Sequence, residues 1–288
     1  MTYSYYPGCS AHSTARDMHE STLAVARALN VELVELNGWM CCGATAAHQT
    51  DPLLAASLPA ANLSLAKATG LEMVVSCAAC YNRMKVANHN ISSSAAMRKS
   101  VAEAIEHDYD GSVPVRHFIE VLLEDIGPAK LRRSLKSSLH GLKVACYYGC
   151  LLVRPPEVMR FDDPENPTSL DRLVTAMGGE SLEWPHKVEC CGGGLNLTRT
   201  DVVVRLSASI AGAAKVSGAD CIAVACPMCQ ASLDLRQKDI EKATGKKLDL
   251  PVVYITQLLG LCLNIPGRVL GLDRLMTDPS AVTRAAGR

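Results

Sequence analysis

The run Val74-Val75-Ser76-Cys77-Ala78-Ala79-Cys80 returns later in the chain as Ala223-Val224-Ala225-Cys226-Pro227-Met228-Cys229, and its reading decides the fold. Each copy is a β-favouring segment that stops at a cysteine and passes through a C-x-x-C turn into a helical pattern. Working outward, Cys41-Cys42-Gly43 answers Cys190-Cys191-Gly192 at a displacement of 149 (190 − 41), the same shift that separates Cys77 from Cys226. Tyr5-Tyr6-Pro7-Gly8-Cys9 answers Tyr147-Tyr148-Gly149-Cys150, shifted by 141 (150 − 9). Pro114-Val115, followed by Ile119 to Leu123, answers Pro251-Val252, followed by Ile255 to Leu259. The chain therefore reads as two homologous domains, 1–140 and 141–288, with the boundary near Leu139 to Leu142.

Within each half, strand and helix patterns alternate. Thr2 to Tyr6, Val31 to Leu36 and Leu71 to Ser76 read as strands, with Lys143 to Tyr148, Glu180 to Trp184 and Cys221 to Ala225 as their counterparts. Ser13 is placed to cap a helix whose Met18, Thr22, Val25 and Leu29 share one face, and Arg199 to Val216 gives another helix. Pro59 predicts a break or kink between Leu53 and Lys67, hence two shorter helices. The tail from Gly267 to Arg288 reads as weakly structured. Such alternation predicts an α/β fold with a small parallel sheet in each half, and ligands bind at the carboxyl edge of such sheets. Cys9, Cys77, Cys150 and Cys226 all fall just past strand ends.

The 288 residues, 48% apolar and 20% charged, suffice for a real core. Twenty-nine basic residues balance twenty-nine acidic ones with no basic run, which argues against a nucleic-acid or anionic-membrane partner. MTYSYYPGCSAHST lacks the basic and apolar regions of a secretory signal, so a cytoplasmic location is expected. Val252 to Ile265 is too short and too polar for direct membrane insertion. Thirteen cysteines in a reducing compartment favour metal ligation over disulfides.

Two sets of five emerge: Cys9, Cys41, Cys42, Cys77, Cys80 and Cys150, Cys190, Cys191, Cys226, Cys229. The C-x-x-C spacing brings two sulfurs to one side of a helix-entering turn whose N–H groups hold anionic sulfur, and Pro227 suits the first helical position. Adjacent cysteines cannot point the same way from a regular strand, so Cys41-Cys42 and Cys190-Cys191 need irregular loops, which Gly43 and Gly192-Gly193-Gly194 permit. A structural zinc or a cubane cluster takes four protein ligands, leaving one thiolate too many in each set. A zinc-stabilised interaction module and a vicinal disulfide at Cys41-Cys42 remain as alternatives.

YYPGCSAHSTA, WMCCGATAAH and VVSCAACYNRM in the first half, with CYYGC, VECCGGGLN and VACPMCQASL in the second, resemble the B subunit of heterodisulfide reductase and the wider group of proteins with duplicated cysteine-rich CCG domains. The resemblance covers nearly the whole chain. It implies two CCG repeats related by a pseudo-twofold axis, each set of five cysteines holding a noncubane 4Fe-4S cluster with one thiolate bridging irons. The implied activity is that of a disulfide oxidoreductase, with the disulfide cleaved to two thiols, or formed from them, between the clusters. No group beyond the cluster ligands is assigned a catalytic role. No dinucleotide fingerprint, P-loop or cubane run is present. The implied partners are therefore a protein with cubane 4Fe-4S clusters, similar to the C subunit of heterodisulfide reductase, and a flavoprotein similar to its A subunit. An electron-relay CCG subunit of a lactate, glycolate or glycerol-3-phosphate oxidising complex, or a sulfur-oxidising heterodisulfide-reductase-like complex, would carry the same ligands.

Cys146, Cys221 and Cys262 fall outside both sets and read as small buried hydrophobes. His12, His48 and His186 lie near the cysteine loops as loop partners or as groups facing substrate anions. Trp39 and Trp184 are read as apolar cover over the clusters, and Lys143 and Arg199 as solvated cations.

Overall fold

The computed structural model describes residues 1–287. Thr2–Tyr6 (β1), Glu32–Glu35 (β2), Met73–Val75 (β3) and Val115–His117 (β4) form one sheet in the order β2-β1-β3-β4. Lys143–Tyr147 (β5), Glu180–Ser181 (β6), Cys221–Val224 (β7) and Val252–Tyr254 (β8) form a second, β6-β5-β7-β8, the same order one repeat later. Every pairing is parallel. Central β3 and β7 read Met-Val-Val and Cys-Ile-Ala-Val and are wholly buried, as strands covered by helices on both faces must be. Edge strand β2 carries Glu at both ends and is largely exposed. Strands β4 and β8, of three residues each, and the two-residue β6, two against the five expected from Glu180 to Trp184, are too short to announce themselves by alternation.

This strand order positions the site. The chain leaves β1 for β2 on one side, then returns to pair β3 on the other, so the strand order reverses between β1 and β3, and again between β5 and β7. Helices leave in opposite directions at such a point and open a crevice at the carboxyl ends. Cys9 and Cys77 follow β1 and β3, and Cys150 and Cys226 follow β5 and β7.

Three expectations are corrected. Helix Arg16–Ala28 begins at Ala15 without a side-chain cap; Ser13 Oγ instead donates to Cys9 O at 3.2 Å, because the chain first makes the tight turn Cys9–His12. The buried face of Met18, Thr22 and Val25 is as expected. Helix Pro52–Thr69 runs through Pro59 unbroken, capped by Asp51, which accepts from Leu54 N–H at 2.7 Å, and closed by Gly70 at φ 69°. An interior proline costs roughly 3 kcal/mol, and burial of Ala56, Pro59, Ala60, Leu63 and Ala66 on one packed face offsets it. The tail is ordered: Leu272–Arg274 and helix Ser280–Ala286 carry buried Leu272, Val282 and Ala286, while Arg288 lies outside the described residues.

The halves are tied together. Ala78 N–H donates to Ala225 O at 3.2 Å, Ser21 and Thr256 share a buried hydroxyl bond at 2.7 Å, and Asn82 donates to Leu151 O and Arg154 O at 3.1 and 2.6 Å. Arg274, from the tail, pairs with Glu20 of the first half at 2.6 Å. Leu270, fully buried against Gly260, anchors that tail. Leu270→Ala is expected to lower unfolding free energy by roughly 2–5 kcal/mol, and Val269→Ala, next to it but half exposed, by less than about 0.5 kcal/mol. Anaerobic denaturant titration checks this, and equal effects of the two would show the tail to be undocked.

Candidate metal centre

In the first half, Gly8 at φ 80° swings the chain off β1 so that Cys9 opens the turn. Gly43 at φ 73° ends the Cys-Cys pair and lets its two side chains diverge. Exposed Cys41 lies 3.8 Å from Cys9, sulfur to sulfur, and buried Cys42 lies 3.2 Å from Cys80. Cys77 precedes helix Ala78–Ser93, and its sulfur accepts the Cys80 N–H at 3.5 Å. The five sulfurs thus arrive from three loops at one crevice.

The second half repeats this wiring. Gly149 takes φ 64°, Cys191 lies 3.7 Å from Cys229, and Cys150 and Cys190 line one cavity. Gly192 N–H donates to Cys190 Sγ at 3.3 Å, as Gly43 N–H donates to Cys41 Sγ at 3.4 Å. Pro227 occupies the first turn of the helix after Cys226, as its missing N–H allows. A Cβ on Gly8 would stand 3.1 Å from Cys80 Sγ, and one on Gly149 3.1 Å from Cys229 Sγ, so both glycines are cradles for sulfur. The two sets adjoin where the Ala78 N–H, one residue past Cys77, donates at 3.2 Å to Ala225 O, one residue before Cys226.

Crowding shapes the acidity of these thiols. Hydrogen bonding to Cys226 and burial raise Cys77, and hydrogen bonding to Cys42 raises Cys80. Cys42 is lowered by its bonds to Cys41 and Cys80, and Cys190 falls to about 6 through its bond to Cys150. Two thiolates 3.2 Å apart repel by roughly 5 kcal/mol at an effective dielectric of about 20. Five sulfurs can therefore all be anions only around a shared positive charge, which is what a metal centre supplies. The donor set fits a thiolate-ligated cluster.

The sequence reading missed the tyrosines. Tyr6 and Tyr147 each lie in the field of four cysteines of their own set and are raised by burial and by those thiolates. Their hydroxyls donate to Met40 O at 2.8 Å and Glu189 O at 2.6 Å, and their Cε1 atoms stand 3.6 Å from the Cβ positions of Gly8 and Gly149. The paired Tyr-Tyr repeats were the signal for them. Each tryptophan packs on the tyrosine of its own half, Trp39 edge-on to Tyr6 and Trp184 tilted against Tyr147. Cys146, Cys221 and Cys262 are buried in the core, where burial raises all three, Cys262 to about 12. Arg199 pairs with Asp201 at the surface, and His186 faces Glu189.

A cavity of about 160 Å³ opens on the second set, lined by Cys190 and Cys226, by Leu151 and Met228, and by Arg83 and His48 from the first half. Arg83 follows Cys80 by one helical turn, and its Nε donates to Asn82 Oδ1 at 3.1 Å. Burial lowers both Arg83 and His48, which leaves the imidazole neutral at pH 7 and the guanidinium charged. The cavity has apolar walls with one fixed positive charge.

Among the described residues no helix is long and apolar enough to cross a membrane. The cysteine-rich domain family, CCG, matches residues 3–85 and 144–234. The chain is 31% identical over 277 residues to the 8-methylmenaquinol:fumarate reductase membrane anchor subunit of Wolinella succinogenes, covering 96% of this chain and 97% of that one. It is 30% identical over 277 residues to the B subunit of the ferredoxin/F(420)H(2)-dependent CoB-CoM heterodisulfide reductase of Methanosarcina acetivorans, covering 94% and 92%. A protein of Archaeoglobus profundus, named for its likeness to the B subunit of heterodisulfide reductase, is 29% identical over 94% of this chain and 93% of its own. A crystal structure of a hypothetical protein from Helicobacter pylori shares the fold at a TM-score of 0.73 and 12% identity; it matches 96% of this chain, which spans about half of it, 51%. With both matched regions holding one complete set of five cysteines, this chain belongs to the cysteine-rich CCG domain family and groups with the heterodisulfide reductase B subunits.

Proposed function

We propose that this chain is the disulfide-handling iron–sulfur subunit of a heterodisulfide-reductase-like complex. In this reading Cys9, Cys41, Cys42, Cys77 and Cys80 hold one noncubane 4Fe-4S cluster, and Cys150, Cys190, Cys191, Cys226 and Cys229 hold the other. The observation that carries it is the junction of the two five-cysteine sets at the Ala78–Ala225 backbone bond, next to Cys77 and Cys226, beside a cavity that can admit a sulfur compound. Reducing a disulfide to two thiols consumes two electrons and two protons, and bound clusters would supply those electrons one at a time. The protein's own groups do the rest. Ala44, Ala78, Leu151 and Met228 keep the cavity apolar, and Arg83 provides the charge that would orient an anionic substituent. Neutral His48 can accept or pass a hydrogen bond at the cavity wall. Electrons would reach the chain, in the cytoplasm, from a protein with cubane clusters similar to the C subunit of heterodisulfide reductase and from a flavoprotein similar to its A subunit.

A second reading, an electron relay without its own disulfide, is favoured by the Wolinella relative, which is named as a subunit of a fumarate reductase. Electron paramagnetic resonance of the oxidised protein with added thiol separates the two: a thiol-dependent change supports disulfide chemistry, and an unchanged spectrum supports relay.

Purified anaerobically, the chain is expected to hold about eight irons, four for each set. Cys42→Ser and Cys191→Ser should each remove about half of the iron and all disulfide turnover; full turnover with one cluster missing would refute the paired mechanism, and two zincs with no iron would refute both readings. Arg83→Ala should raise KM for an anionic disulfide about tenfold or more, the worth of one charged hydrogen bond, while leaving KM for an uncharged disulfide within about twofold. Steady-state kinetics with a viologen donor reads both, and an equal rise for both substrates would exclude the anion role.

A further inference from the structure

We propose that His12, His19 and Glu35 form a site for one divalent cation of the zinc class, separate from all ten cysteines of the two sets. The three side chains come from three segments: the turn Cys9–His12, helix Arg16–Ala28 and the last residue of β2. Their ligating atoms all lie within 4.8 Å of one another. His12 Nε2 is 3.4 Å from Glu35 Oε1, and the two imidazole centroids are 5.2 Å apart. Zinc bonds to nitrogen and oxygen at about 2.0–2.2 Å, which sets tetrahedral donors about 3.3 Å apart. Closing the set therefore takes side-chain shifts of about 1 Å, and the side chains of His12 and Glu35, 53% and 41% exposed, are free to make them.

Each ligand is already oriented by a neighbour, as metal ligands are. The Tyr5 hydroxyl lies 3.3 Å from His19 Nδ1 and leaves Nε2 as the free nitrogen. Trp39 donates its indole N–H at 2.9 Å to Glu35 Oε1, the same oxygen that faces His12 and one with a second lone pair left for a metal, and its ring stacks on His12 at 5.8 Å. Two nitrogens and one carboxylate oxygen suit zinc, with a water to complete four-coordination, and lack the thiolates that iron–sulfur clusters require. The second half offers no copy, since Val153 stands where the repeat would place His12 (12 + 141). A cation here would clamp the turn that begins at exposed Cys9 to the end of β2.

The test uses the iron-loaded chain, equilibrated anaerobically with buffered zinc, with zinc and iron counted and zinc-edge X-ray absorption recorded. The expected result is about one zinc per chain with a nitrogen and oxygen shell and no sulfur. His12→Ala and Glu35→Gln should abolish zinc retention with iron unchanged, and Trp39→Phe, which removes the N–H on Glu35 and shrinks the ring stacked on His12, should weaken zinc binding about tenfold. No retained zinc, a sulfur shell, or zinc retained in both ligand variants would overturn the site. Iron counted in the same samples reports separately on the cluster reading.

Discussion

Ten sulfurs in two adjoining groups of five constrain everything else in this protein. Cys42 and Cys80 at 3.2 Å cannot both be thiolates without a counter-charge, and the split acidities within each set are the form that repulsion takes. Sulfurs this close keep part of their protons until a cationic centre takes their place, so the fold must hold the loops in position for it. It does so with rigid parts: short parallel strands buried on both faces, helices entered directly from Cys77 and Cys226, and left-handed glycines beside Cys9, Cys42, Cys150 and Cys191.

Parallel sheets of order 2-1-3-4 suit this task because they place the two central strand ends, and thus Cys9 with Cys77 and Cys150 with Cys226, at the point where helices part. Duplication then brings a second crevice to the first. The Ala78 to Ala225 backbone bond, one residue from Cys77 and Cys226, is the hinge of that pairing. A single half would leave its crevice open to water along this edge.

Much of this was legible in the residues. The cysteine spacings picked out the two five-cysteine groups that the fold gathers and the repeat that carries them, because such motifs repeat even where packing drifts. Buried apolar strands β1, β3, β5 and β7 were readable from composition alone. Strand order was not, since it depends on which side of β1 the chain returns. Local rules failed where tertiary packing outweighed them: Pro59 lies inside a helix whose buried face holds it, Ser13 binds the Cys9 turn rather than a helix end, and the tail docks through Leu270 and Arg274. Tyr6 and Tyr147 were visible as repeats, yet their contact with sulfur depends on the glycine turns that fold the chain back over them.

Repetition of the ligands does not make the two sets equivalent. The cavity that opens on the second set takes Arg83 and His48 from the first half, whereas the repeat places Ser232 (83 + 149) and Leu197 (48 + 149) at the corresponding positions of the second half. Around the first set stand instead Trp39, His12, His19 and Glu35, a polar layer facing solvent. On the proposed disulfide chemistry, one sulfur would leave in an apolar pocket beside a fixed positive charge and the other near a water-facing edge. Such a site discriminates between the two ends of its substrate, because an anionic arm is stabilised beside Arg83 and left unpaired in the reverse orientation. A mixed disulfide of two different thiols is the substrate whose ends that asymmetry can tell apart, and a symmetric one would gain nothing from it.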